Sequence, residues 1–278
     1  MDSWQVAAAL LSAALHAGWN AAVKSHARPA EIMTAQMMLG AVLGLPALLW
    51  TGLPAAASLP WLAGSTCINL VIVTALLRAY GLIGFGTAYP MVRALSVMLV
   101  TPLATLLSGE RLSGYGLVGI GLIAVSLFLL AAGSRGRAAV PRTALSWMLL
   151  AGLATASYVL CDAQGVRRAG SPLAYGFVVS ATNALAMFLF NGFAARQWHG
   201  VATQAGVALP IAIASTASYL LILWVWSQAP VAPASALRDT SSIFAIVIAV
   251  VWLREPFTRL RLFAILLSAA AVPLLRLA

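Results

Sequence analysis

The sequence predicts an all-α integral membrane protein of ten transmembrane helices arranged as a 5+5 inverted repeat. Three observations lead there. First, 62% of the 278 residues are hydrophobic and 8% are charged, with a mean hydropathy of +0.97. A soluble domain carries about a quarter charged residues and could not cover its surface with so few. Second, apolar runs long enough to span a bilayer recur from end to end. Third, the stretch Tyr89-Pro-Met-Val-Arg-Ala-Leu-Ser96 has a counterpart 145 residues later, so that Arg93, Ser96 and Glu110 correspond to Arg238, Ser241 and Glu255. Five helices per half is an odd number, which places the two halves in opposite membrane orientations.

Taken in order, the predicted helices of the first half cover residues 4–24, 30–51, 61–80, 87–108 and 114–132. The breaks between them are Ser25-His-Ala-Arg-Pro29, Gly52-Leu-Pro54 and the glycine-rich Gly81-Leu-Ile-Gly-Phe-Gly86, with Gly109-Glu110-Arg111 closing the fourth. Those of the second half cover residues 144–166, 172–195, 207–227, 232–252 and 260–277. The domains are therefore residues 1–133, a basic linker at 134–143 and residues 144–278. Met1-Asp2-Ser3 lacks the basic region of a signal peptide, so the first apolar stretch reads as an uncleaved helix. Trp50, Trp61, Trp147, Trp198 and Trp252 fall near span ends, as interfacial tryptophans do. Gly116, Gly119 and Gly121 belong to the small-residue pattern that lets helix backbones approach in lipid.

The net charge of +10 comes from 15 Arg and one Lys against six acidic residues. Most of the excess lies in short loops, which reads as a topology signal and contact with anionic lipid rather than nucleic-acid binding. Counted at the span ends, four basic residues lie on the side of the termini and ten on the other. The positive-inside rule then puts both termini outside the cytoplasm. Cys67 and Cys161 sit inside apolar runs with no metal spacing and read as small core residues.

Polar residues inside the spans carry the functional signal, because such groups are costly in lipid and are either functional or paired. The first helix presents Ser12, His16, Asn20 and Lys24 on one stripe, with Trp19 beside it. The sixth carries Tyr158 and Asp162 one turn apart. The fourth places Tyr89, Arg93 and Ser96 on one face, and the ninth carries Ser235, Arg238, Ser241 and Ser242, with Asp239 adjacent. Pro230 and Pro233 make an irregular backbone near Arg238 expected. For each arginine there are two readings: a structural ion pair, for example Arg238 with Asp162 or Asp239, or a guanidinium whose planar fork grips an anionic group.

The sequence contains no HExxH, no GxSxG, no phosphate-binding glycine loop and no His/Cys cluster. No catalytic, metal or cofactor site is therefore expected, and the protein is not read as an enzyme. Without a phosphate-binding loop, energy for transport would come from protons, an exchanged solute or the substrate gradient.

Leu107-Ser-Gly-Glu-Arg-Leu112 and Trp252-Leu-Arg-Glu-Pro-Phe257, at the ends of the fourth and ninth helices, resemble the Leu-Gly-Glu-Arg/Pro element of the drug/metabolite transporter superfamily, EamA-like branch. Leu15-His-Ala-Gly-Trp-Asn20 with Lys24, and Tyr158, Asp162, Gly165 and Arg167, resemble a bacterial subset associated with phosphonate utilisation. The resemblance covers nearly the whole chain. It implies a multi-pass protein of the bacterial inner membrane, both termini inside, with a central cavity open to one side at a time. This orientation is opposite to the one the charge count suggests.

Together these readings make the expected function export of a small acidic or zwitterionic, amino-acid-like metabolite. Arg93, Arg238, Tyr89, Asn20, Trp19 and Tyr158 would bind the substrate, and Asp162 or His16 would carry a coupling proton. The partners expected are the small molecule and membrane lipid. Two alternatives stand beside this reading: an organic-cation/drug–proton antiporter, which would need a carboxylate in the first helix, and an integral membrane enzyme acting on lipids.

Overall fold

The structure, a computed structural model, describes all residues except 84, 134–139, 196–202 and 252–257. The described residues are entirely helical or loop: α1 (Ser3–Lys24), α2 (Pro29–Thr51), α3 (Leu59–Ile83), α4 (Phe85–Ser108), α5 (Gly114–Gly133), α6 (Arg142–Arg168), α7 (Pro172–Ala195), α8 (Ala205–Gln228), α9a (Val231–Asp239), α9b (Ser241–Val251) and α10 (Arg259–Arg276). With α9a and α9b counted as one interrupted helix, the total is ten. Eight of these are long and apolar enough to cross a membrane. Much of the second copy of the family-like element, Trp252–Phe257 with Glu255, and most of the linker lie outside the described residues, as does Trp198.

Two predicted boundaries shift. The glycine-rich stretch read as a loop is largely helix: α3 continues through Gly81 to Ile83, and α4 starts at Phe85. Glycine is a poor helix former in water, but in lipid an unbonded backbone amide is far costlier than the propensity deficit. The ninth helix, predicted continuous to residue 252, instead stops at Asp239 and restarts at Ser241. The break is at Thr240 and not at the prolines. Its amide and its hydroxyl both turn back to the Leu237 carbonyl, at 3.2 Å and 2.6 Å. Pro230 is the N-cap of α9a and Pro233 lies in its first turn, where a missing N–H is tolerated.

The exterior is apolar. Leu49 is 92% exposed, and Trp4, Trp50, Leu53 and Leu106 are similarly open. Such a surface is stable only where lipid covers it, and the chain is a multi-pass membrane protein. At the start of α1, Asp2 and Gln5 form a reciprocal capping pair, Gln5 N–H to Asp2 Oδ1 at 2.7 Å and Asp2 N–H to Gln5 Oε1 at 3.0 Å. The amino group of Met1 donates to the Arg276 carbonyl at 2.9 Å, so α1 begins where α10 ends.

Helix pairing resembles the pattern that two similar halves would give. α3 packs on α6 as α1 packs on α8; α4 packs on α6 as α9a and α9b pack on α1; and α2 meets α7 while α5 meets α10. Two halves related by a pseudo-two-fold axis would pair in this way. Contacts within the bundle are made by small residues and by serines. Ser12 and Ser218 each donate to the other's carbonyl at 2.7 Å, joining α1 to α8. Ser126 donates to the Ala264 carbonyl at 2.8 Å and accepts from Ser268 at 3.0 Å, joining α5 to α10. These bonds keep polar groups satisfied at close backbone approach. Ser12, the first residue of the α1 stripe, is thus a packing residue.

Gly165 shows how close that approach is. A Cβ there would collide with the hydroxyl oxygen of Tyr175 and the ring edge that bears it, and that hydroxyl bonds Asp162. Gly165→Ala is expected to destabilise the fold by about 1–3 kcal/mol through overpacking. The check is a lower thermal transition of the purified protein in detergent.

Candidate functional site

The polar residues of α1, α4 and α9a converge on one buried cluster. α4 delivers Arg93. Its Nη1 pairs with Asp239 Oδ1 at 2.9 Å, its Nη2 meets His16 Nε2 at 2.6 Å, and its Nε donates to the Tyr89 hydroxyl at 3.2 Å. The guanidinium also lies over the Tyr89 ring, 5.3 Å from its centroid. Tyr89 can do both because it precedes Arg93 by four residues and shares its helix face. A guanidinium has no lone pair to offer, so His16 Nε2 is the acceptor and the imidazole proton sits on Nδ1. Trp19, one turn along α1, packs edge-on to the His16 ring at 5.1 Å.

Arg238 differs from Arg93, although the repeat makes them counterparts. It is 9% exposed, and its Nε is buried with no hydrogen-bond partner. It has no ion pair among the described residues; its contact is the face of Trp226, 5.7 Å from guanidinium to centroid. The adjacent Asp239 points to Arg93 instead. Arg93 and Arg238 both act electrostatically on His16, which places all three in one field.

Asp162 is fully buried and held apart from this pair. Tyr175 donates to Oδ1 at 3.1 Å and Tyr219 donates to Oδ2 at 2.6 Å. The expected pairing of Arg238 with Asp162 or Asp239 is not made: Asp162 takes tyrosines, and Asp239 takes the other arginine. Tyr158, one turn before Asp162, is electrostatically coupled to both Asp162 and Arg238. Asn20 is turned back on its own helix, donating to the His16 carbonyl at 2.7 Å. The structure therefore brings together Arg93, Arg238, His16, Trp19 and Tyr89, with Tyr158 linking to Asp162, while the Asn20 amide donor is engaged locally.

Trp226 is the residue of this site that the sequence did not single out. It is fully buried in the last turn of α8, where a tryptophan otherwise reads as an interfacial anchor. The signal was its place next to the Pro230 break, five residues before a helix that carries a buried arginine. Among the described residues no group of three His, Cys, Asp or Glu could hold a metal ion.

Residues 142–277 match the EamA-like transporter family. The match takes in α6 to α10, hence Asp162, Arg238 and Asp239, and stops short of the first half, where His16 and Arg93 lie. A solved structure, described only as a crystal structure of a protein, superposes with a TM-score of 0.73 over 98% of this chain and 95% of that chain, at 17% identity. That likeness shows a shared fold over the whole length, including the half that the family model leaves out. No curated protein matches the sequence.

The asymmetry between the two arginines predicts different behaviour on neutralisation. Arg93→Gln leaves the Asp239 carboxylate buried without its partner, a loss on the order of 3–5 kcal/mol. Its thermal transition should fall well below that of Arg238→Gln, and Asp239→Asn added to Arg93→Gln should recover part of the loss.

Proposed function

We propose that the protein is a secondary active transporter, an exporter of the bacterial inner membrane, that moves a small acidic or zwitterionic, amino-acid-like metabolite by alternating access through a central cavity. The observation that carries this reading is Arg238, buried in the bundle with its Nε unbonded and with no ion pair among the described residues. A guanidinium removed from water with no anion is a high-energy group, and a substrate carboxylate or phosphonate would supply the missing partner with two parallel hydrogen bonds. The fold and the EamA-like match over residues 142–277 support a transporter scaffold.

In this reading the acid group arrives first at Arg238, over the face of Trp226. Arg93 lies in the same field but already holds Asp239, so the substrate anion competes with Asp239 for it. Passage from one arginine to the other across the pseudo-two-fold axis is the alternation between the two sides. Trp19, Tyr89 and Tyr158 contact the rest of the substrate, with Asn20 at the rim of the α1 stripe. His16 and Asp162 are the candidate carriers of a coupling proton. A proton on His16 Nε2 removes the acceptor that Arg93 uses, which ties protonation to the binding pair. Asp162 would hold its proton within the tyrosine cage. An organic-cation antiporter fits less well, because Asp162, Asp239 and Glu31 are all engaged by other side chains and two arginines line the same cluster.

Uptake into proteoliposomes of radiolabelled amino acids and aminoalkylphosphonates tests this. Arg238→Gln should raise the apparent KM roughly ten- to hundredfold, the loss of one charge-assisted hydrogen bond to an anion, and Arg238→Lys should retain part of the affinity. Folded Arg238→Gln that transports an acidic substrate at wild-type KM would sink the reading. For coupling, Asp162→Asn and His16→Asn should be compared under an imposed pH gradient. The variant that loses gradient-driven accumulation while keeping downhill exchange identifies the proton carrier.

A further inference from the structure

The joint between α8 and α9a is pinned from both sides by one ion pair. Arg167, at the end of α6, donates from Nε to the Trp226 carbonyl at 2.9 Å and from Nη2 to the Ala229 carbonyl at 2.9 Å. The same Nη2 meets Glu110 Oε1 at 3.2 Å. Glu110, just after α4, in turn accepts the Val231 N–H with both oxygens, at 3.0 Å and 2.9 Å. Arg167 thus satisfies carbonyls at the C-terminal end of α8, and Glu110 satisfies the first amide of α9a. Pro230 between them has no N–H and cannot carry helix across the joint. Four segments are held by two side chains.

Trp226 connects this latch to the binding cluster. Its carbonyl is one of the two that Arg167 holds. Its indole N–H donates to Ser235 Oγ at 3.1 Å, and its ring face lies under Arg238. Ser235 and Arg238 are three residues apart on α9a and share a face. The backbone of Trp226 therefore belongs to the latch, and its side chain to the platform on which Arg238 rests. Arg238 lies seven residues beyond Val231, about 10 Å deeper along the helix.

We propose that Trp226 is a positioning residue that transmits the state of the Glu110–Arg167 latch to Arg238, so that opening the α8–α9a joint and releasing the bound anion are one event. The anion's part in this rests on the transporter reading above; the mechanical link from latch to arginine does not. When the latch opens, Arg167 without its counter-charge leaves the Trp226 and Ala229 carbonyls, the indole loses its fixed relation to Ser235, and the guanidinium loses its platform. An anion bound to Arg238 stabilises the same platform, so substrate and latch act in the same direction.

The test uses full-length protein in vesicles, with phenylglyoxal as a probe of free guanidinium groups and peptide mass spectrometry to locate the modified arginines. No substrate is needed. In the wild type, Arg238 should react faster than Arg93, which is held by Asp239. Glu110→Gln keeps an acceptor for Val231 but loses the charge that holds Arg167. Arg167→Lys keeps the charge but loses the fork. Ser235→Ala removes one hydroxyl and is the mildest of the three. Each latch variant should speed modification of Arg238 roughly tenfold, the shift expected when a single hydrogen bond to a charged group is lost, and Ser235→Ala, which loses a neutral hydrogen bond, about threefold, while Arg93 stays slow. An unchanged Arg238 rate in all three folded variants overturns the relay. Acceleration in Ser235→Ala but in neither latch variant also overturns it, because Trp226 would then act without the latch. If the relay holds but Arg238→Gln transports with wild-type KM, the anion reading falls and the mechanical link stands. The reverse pattern leaves the transporter and removes the link.

Discussion

The salt bridge between Arg93 and Asp239 is the interaction on which the arrangement of the bundle core depends. It joins the middle of α4 to the end of α9a, hence the first half to the second, at a depth where neither charge is stable alone. His16 and Tyr89 complete the shell around Arg93, so α1 is drawn to the same point. Asp239 makes its ion pair with Arg93, and Arg238, with no ion pair among the described residues, lies against the Trp226 face. The two arginines lie at matching places of two similar stretches, and of the two only Arg93 makes an ion pair among the described residues.

The interruption of the ninth helix makes that division possible. A continuous helix would keep Arg238, Asp239 and Ser241 on the regular 100° succession. Thr240 turns back onto Leu237, ending one helix and starting another, so Asp239 sits at a terminus rather than in a helix interior. Ser241 and Ser242 follow with buried hydroxyls that have no partner, and these add to the unsatisfied polar groups near Arg238. Irregular backbone at this depth is stable only where protein surrounds it, and α9a is buried along its whole length.

Asp162 illustrates a second solution to the same problem. Two tyrosine hydroxyls, from α7 and α8, hold its carboxyl group, and it makes no ion pair among the described residues. The glycine at 165 leaves room for the Tyr175 ring against α6, so a packing feature and an electrostatic one are inseparable here. Glu110 and Arg167 are a third case, where an ion pair at the end of the bundle satisfies helix termini. The sequence marked both residues, Glu110 by the repeat and Arg167 by family likeness, but neither signal pointed to the other.

Hydrophobic patterning alone determined that this is a helical membrane protein with helices close to the observed ones. Burial of backbone polar groups in lipid leaves few alternatives for long apolar runs. The same reasoning marked Arg93, Arg238, Asp162 and His16, because charge within a span is rare whatever the fold. Pairing was beyond it. Which carboxylate answers which guanidinium depends on the direction in which each side chain leaves its helix and on the rotation of neighbouring helices. Both are set by contacts between residues far apart in the chain. The tertiary structure gave Asp239 to Arg93 and tyrosines to Asp162. It placed the helix break at Thr240 and put Trp226 beneath Arg238, since only packing in three dimensions decides which buried charge is left without a partner.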